Sequence, residues 1–211
     1  MREAVIVSAA RTPIGKAYRG AYNNTAAPTL ASYSIKEAVH RAGIDPEEVD
    51  DVVMGCAQQQ GSQALNIGRL GGIAAGLPNT VSGMTIDRQC SSGMMAIATA
   101  SKQIITDNMD TVVAGGVESI SLVQTAEIRL DIDPNVTEHA QHAYMPMIET
   151  ADNVAEKYSV SREDQDEYSL QSQQRTASAQ EAGIYADEVI STTCLLYTSP
   201  SPRDRTRSRM P

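Results

Sequence analysis

Cys90 lies in the string Thr85-Ile86-Asp87-Arg88-Gln89-Cys90-Ser91-Ser92-Gly93-Met94-Met95, where an apolar run ends and small residues open a helix-like stretch. A thiol on such a strand-to-helix turn sits beside unpaired N–H groups and the positive end of the helix dipole, which favour the thiolate. The thiolate is the form that attacks carbonyl carbons. Taken by itself a free cysteine is equally well explained by packing, because cysteines are among the most buried residue types. Cys56, at the end of another apolar run, reads as core of that kind.

Other groupings offer weaker chemistry. His139 and His142, with Glu138, have the i, i+3 spacing that can place two metal ligands on one helix face. The segment lacks a helical pattern and a third ligand at motif spacing, so it reads as a polar loop. Arg11, Lys16 and Arg19 form a basic cluster that could meet phosphate. No Walker or dinucleotide fingerprint follows it, and a solvated loop accounts for it as well. Gln63, Asn66 and Arg69 fall on a polar helix face, and Met145 and Met147 read as packing.

The elements that must position these residues alternate. Ala4–Ser8 reads as a buried strand, and Leu30–Ala42 as a helix whose apolar stripe is closed by Gly43. Asp45-Pro46-Glu47-Glu48 has a cap, a first-position proline and first-turn acids, and leads into a strand at Asp51–Gly55. Leu65–Leu77 repeats the helical spacing, with Gly68, Gly71 and Gly72 pointing to close helix packing. Val81–Ile86 is the strand before Cys90, Ser92–Ile105 the helix after it, and Thr111–Ala114 the next strand. This order implies a parallel sheet with helices on its faces, and such sheets collect active groups at the carboxyl ends of their strands. Ser119–Ile148 reads as irregular and polar; Thr150–Tyr158 and Ser161–Ala182 then read as helices, the latter capped by Ser161 and ended by Gly183.

Three strings carry a resemblance: RTPIGKAYRG at 11–20, QCSSG at 89–93 and VVAGGVES at 112–119. Together they resemble the thiolase family, nearest to its degradative 3-ketoacyl-CoA thiolases (acetyl-CoA acyltransferases). The resemblance implies an α/β, thiolase-like layered fold, a mostly parallel sheet flanked by helices, with an α-rich loop-domain insertion, here truncated. It assigns domains as 1–118 for the N-terminal core, 119–186 for part of the loop domain and 187–193 for the start of a further strand. It makes Cys90 the acyl-thioester nucleophile, with its backbone N–H in an oxyanion hole, and makes Met147 a wall for the CoA pantetheine arm. Gln63, Asn66 and Arg69 match a segment near the nucleophile and the subunit interface, with a polar helix face as the competing reading. Asp87 stands where the family usually shows Asn.

The implied reaction is thiolytic cleavage of 3-ketoacyl-CoA by CoA in fatty acid β-oxidation. CoA is a substrate, and no resident cofactor or metal is implied. Expected partners are acyl-CoA and CoA, a second copy or a homotetramer, and a β-oxidation multienzyme partner. The family takes an acid-base His from a Gly-His-Pro motif and a second Cys from a Cys-x-Gly motif, both near the C-terminus. His40, His139 and His142 match neither context, so the chain is expected to be inactive by itself. Competing readings are the biosynthetic acetoacetyl-CoA thiolase and a non-catalytic CoA-binding or interaction protein. A cysteine hydrolase would need a positioned His within the chain.

Composition sets the outer bounds. Of 211 residues, 41% are hydrophobic and 20% charged, as in ordinary globular proteins. The net charge of −9 argues against nucleic acid or anionic membrane as a general partner. The apolar run Ala4–Ala10 is too short for a membrane span, and three cysteines make no even disulfide framework, so a cytoplasmic protein is expected. Residues 194–211 carry four Arg, one Asp and three Pro without usable periodicity. They read as a non-native tail, with a disordered basic tail as the alternative.

Overall fold

The run Asp51-Val-Val-Met-Gly is apolar enough to be buried on both faces, and it forms the central strand of a parallel sheet. The computed structural model describes residues 2–126 and 131–193, which fall into two units, 2–126 with 188–193 and 131–187. In the first, β1 (Asp51–Gly55) lies between β2 (Ser82–Ile86) and β3 (Val112–Gly116), all parallel. The register aligns Gly55 with both Ile86 and Gly116, so three strands end at one edge.

Helices cover both faces. Side chains of β1 alternate: Val52 and Met54 join a core with Ala27, Ala31, Ile35 and Val39 of α1 (Ala27–Ala42) and Ile67 of α2 (Ile67–Ala75). Val53 points the other way, onto Ala96 and Ala100 of α3 (Ser92–Thr106). The glycines of α2 are there for contact: a Cβ at Gly68 would strike the carbonyls of Met84 and Val52, and one at Gly71 would sit 3.2 Å from the side chains of Ala31 and Ile35. Gly43, at φ +68, ends α1 in the left-handed conformation that glycine adopts without a steric penalty. The Asp45 capping box forms, but it starts only one 3-10 turn, Pro46–Glu48, before the chain extends into β1.

Ala4–Ser8 corrects the sequence reading. Val5, Ile6 and Val7 are 71%, 80% and 71% exposed and belong to no strand. A strand exists only where a neighbour takes its N–H and C=O groups. Here the segment is tied instead to α1, by the Ser8 hydroxyl donating to the Ala38 carbonyl (2.7 Å) and Arg41 donating to the Ala9 carbonyl (2.8 Å). It flanks a groove of about 810 Å³ whose other walls include β3, α1 and α3. Ladder pairing begins only at Arg11, which bridges Val189 in parallel, inside the segment read as the start of a further strand.

The stretch read as irregular, 119–148, contains two short helices among its described residues. α4 (Ile120–Val123) forms in the first unit because Val123 is fully buried and its carbonyl accepts from Gln60 (2.9 Å). α5 (Pro134–His139) starts where the Asp133 carboxylate accepts the Asn135 N–H (2.8 Å) beside a first-turn proline. The second unit continues with α6 (Met147–Tyr158) and α7 (Arg162–Glu181), the latter opened by a Ser161–Asp164 capping box. Neither helix buries a residue. No helix among the described residues is long and apolar enough to cross a membrane, and the tail at 194–211 lies outside the described residues.

Candidate functional site

The aligned strand ends carry three loops: 56–66 after β1, 87–91 after β2 and 117–119 after β3. Cys90 occupies the second, in a 3-10 turn at Gln89–Ser91 that runs directly into α3, and it is exposed. The turn is built tightly. Gln89 takes φ +47, a left-handed value rare for a non-glycine residue, and the Asp87 carboxylate accepts its N–H (2.7 Å). Ser92, buried below, accepts the Arg88 N–H (2.8 Å) and donates to the Gln89 carbonyl (2.6 Å). Ser91 donates to the Arg88 carbonyl (2.9 Å). A helix start leaves its first N–H groups without intrahelical carbonyl partners; in this turn Ser92 and Asp87 take those of Arg88 and Gln89, and the Arg88 carbonyl takes that of Ser91.

α3 can start here because glycines floor it. A Cβ at Gly55 would collide with the backbone of Ser92 and Gly93, and one at Gly116 would sit 3.3 Å from Gly93 Cα. The thiol-bearing turn therefore rests on the ends of β1 and β3.

A second cluster locks the outer loops together. Glu118 accepts the N–H groups of Ala57 (2.9 Å) and Gln58 (3.3 Å) and the Gln63 side-chain amide. Gln63, with no exposed surface, also donates to the Gln58 carbonyl (2.7 Å) and Cys56 Sγ (3.3 Å), while its oxygen accepts the Ser119 N–H. Cys56 is 1% exposed. Burial, and then the charge of Glu118, push its thiol up to about 12, with Asp87 adding in the same direction. Among the described residues the site thus holds one accessible thiol and one that is buried and protonated.

The remaining expected residues divide. Asn66 caps α2, its side-chain oxygen accepting the Arg69 N–H (3.1 Å) and its amide donating to the Gly83 carbonyl (2.6 Å). Arg69 donates to the carbonyls of Val81 and Asn79 (2.9 Å to the latter). Asn66 and Arg69 thus splice α2 to β2 rather than forming a free polar face. Met147 opens α6 in the second unit and is 71% exposed. His139 closes α5 and His142 follows it, and no group of three His, Cys, Asp or Glu among the described residues could hold a metal ion. Arg11 pairs with Glu188 (3.3 Å), while Lys16 and Arg19 are exposed. Two anchors were missed in the sequence. Ser92 carried the signal of a hydroxyl two residues past the thiol; Glu118 carried the signal of an acid just beyond a glycine-ended strand.

The thiolase N-terminal domain family matches residues 4–196. The chain belongs to the thiolase family. It is 43% identical over 190 residues to a 3-ketoacyl-CoA thiolase of Bacillus subtilis, covering 90% of this chain and 49% of that protein. It is 40% identical over 211 residues to a β-ketoadipyl-CoA thiolase of Pseudomonas aeruginosa, covering 91% and 52%. Among solved structures, an acetyl-CoA acetyltransferase of Bacillus anthracis matches with a TM-score of 0.77 at 39% identity, covering 90% of this chain and 50% of that one. The chain therefore spans about half the length of the thiolases it matches, and its fold is the thiolase α/β fold with a parallel sheet flanked by helices.

Proposed function

We propose that this chain is the nucleophile-bearing half of a 3-ketoacyl-CoA thiolase. The observation that carries the reading is Cys90: an exposed thiol, at the carboxyl edge of a parallel sheet, on a side-chain-braced turn at the start of a 15-residue helix. In this reading the Cys90 thiolate attacks the 3-keto carbon of the substrate. The bond between that carbon and the alpha carbon breaks, leaving an acyl group on Cys90 and the enolate of acetyl-CoA, which takes up a proton. A deprotonated CoA thiol then attacks the acyl thioester and the Cys90 thiolate departs. Each carbonyl oxygen gathers negative charge during attack, and the Cys90 backbone N–H is a donor that receives it.

The proton transfers need groups with matched acidity within reach of the reacting atoms. The family resemblance assigns them to histidine and cysteine motifs that residues 1–211 do not contain. Both reacting thioesters bring their own activated carbonyl, so the reaction needs no resident cofactor. We assign the protein to the cytoplasm and to a homo-oligomer, and fatty acid β-oxidation is the favoured setting. The Pseudomonas relative, named for a β-ketoadipyl substrate, makes a 3-keto thioester with a distal carboxylate the second candidate.

The test is thiolysis of acetoacetyl-CoA, longer 3-ketoacyl-CoA and 3-oxoadipyl-CoA, followed by loss of the magnesium–enolate absorbance with CoA present. The 211-residue chain should show no turnover. Missing one oxyanion donor typically costs about 10²–10³ in rate, and missing acid-base assistance roughly 10²–10⁴ more. The uninterrupted reading frame continued past residue 193 should turn over, and Cys90→Ala should abolish it. Robust Cys90-dependent turnover by residues 1–211 would refute the half-site reading.

A further inference from the structure

The turn that presents Cys90 contains a residue in left-handed backbone, and two side chains brace it. Gln89, directly before the thiol, sits at φ +47. Left-handed backbone is disfavoured for a residue with a Cβ and persists only where neighbours over-determine it. Ser92 braces the turn from inside the protein, through Arg88 N–H and the Gln89 carbonyl. From outside, only one side chain is bonded to the Gln89 N–H, the Asp87 carboxylate at 2.7 Å. Asp87 is exposed and forms no ion pair among the described residues. Its charge is one of the lesser causes that raise the Cys56 thiol on the neighbouring loop.

We propose that Asp87 is a positioning residue for Cys90: its acceptor oxygen holds Gln89 left-handed, and that conformation sets the direction in which the thiol leaves the turn. The proposal rests on reading Cys90 as the acyl-accepting nucleophile. A hydrogen bond is what the geometry requires here, whereas a negative charge beside a forming thiolate works against it. The acceptor and the charge are therefore separable by substitution.

Two readouts on the 211-residue chain decide it. One is acetyl transfer from acetyl-CoA: Cys90 sulfur bonds to the acetyl carbonyl carbon, CoA leaves as its thiolate and takes a proton, and intact mass and released CoA report the transfer. The other is iodoacetamide alkylation of Cys90 and Cys56 by peptide mapping, with Cys56 reporting loss of fold. Asp87→Asn, which keeps the acceptor, should acetylate within about twofold of the parent or faster. Asp87→Ala should fall about tenfold, since a displacement of about 1 Å can cost up to roughly 10²-fold. In that background Gln89→Gly, which accepts positive φ without penalty, should recover much of the loss. Both substitutions remove a charge that raises the Cys56 thiol, so Cys56 labelling should speed alike in Asp87→Asn and Asp87→Ala.

An Asp87→Ala rate within twofold of the parent overturns the proposal. So does Asp87→Asn falling as far as Asp87→Ala, which would assign the effect to charge, or a loss accompanied by Cys56 labelling faster in Asp87→Ala than in Asp87→Asn, which would assign it to stability. If the parent alkylates at Cys90 but never acetylates, the nucleophile reading fails instead. The Cys90 alkylation series then decides the positioning claim: a slowing in Asp87→Ala that Gln89→Gly reverses supports it, and unchanged rates overturn it.

Discussion

Iodoacetamide at pH 8 meets two thiols among the described residues, and the structure orders them. Cys90 is exposed on its turn, while Cys56 is 1% exposed and its thiol is pushed from 9.0 up to about 12. Alkylation proceeds through the thiolate. At pH 8 a thiol titrating near 12 is ionised in about one molecule in 10⁴, roughly 10³-fold less than one at the ordinary value. Access adds to this, because Cys56 can react only when the loop after β1 opens. Cys56 should therefore be labelled about 10³-fold more slowly than a thiol at the ordinary value, and the exposed Cys90 should be labelled first, as read by quenched time points and peptide mapping. Glu118→Gln supplies the internal check. It removes the second cause of the Cys56 shift and leaves the first, burial, in place. Cys56 labelling should speed up, by about tenfold for each pK unit released, and still trail Cys90. If Cys56 is labelled first, or if Glu118→Gln slows its labelling, the picture of a buried thiol beside a carboxylate is wrong.

Three further outcomes follow from the same geometry. Because folding keeps Cys56 protonated, unfolding releases a proton between pH 9 and about 12, so stability should be unaffected below pH 9 and fall through that window. The slope should approach about 1.4 kcal/mol per pH unit, and alkaline denaturation of Cys56→Ala should lose this component. Gly55→Ala places a methyl against the backbone of Ser92 and Gly93; it should destabilise by roughly 1–3 kcal/mol or more and also disturb Cys90 alkylation, whereas Gly43→Asn at a left-handed cap with open space should leave that alkylation unchanged. Among the described residues, brief trypsin treatment should cut at Lys157, Arg162 or Arg175, on helices that bury no residue, before Lys102 of α3, and earlier cleavage at Lys102 would contradict this order.

Much of the architecture is local and was therefore legible in the residues. The period-3.6 stripe of α1, its closing Gly43, the apolar run of β1 and the small residues after Cys90 each specify their own conformation through near neighbours. The Cys90 turn was legible as a strand-to-helix turn, but the bonds of its braces, Asp87 and Ser92, were not, although both lie within three residues of the thiol. The glycines of α2 announced close packing because nothing local favours three glycines in nine helical residues.

Tertiary structure decided what depends on partners distant along the chain. Ala4–Ser8 has the composition of a buried strand, yet a strand is defined by a neighbour, and the described residues put none beside it. Gln63 and Glu118 stand 55 positions apart and become one cluster only because the register of β1 and β3 brings their following loops to the same edge. Asn66 and Arg69 look like a solvated helix face until β2 and the residues leading into it supply the carbonyls they bond. Which of the two described cysteines is buried, and its thiol raised, was a matter of packing and of a carboxylate remote in sequence. Periodicity and turn chemistry act over a few residues, but burial, strand pairing and electrostatic neighbours exist only once distant segments have been brought together.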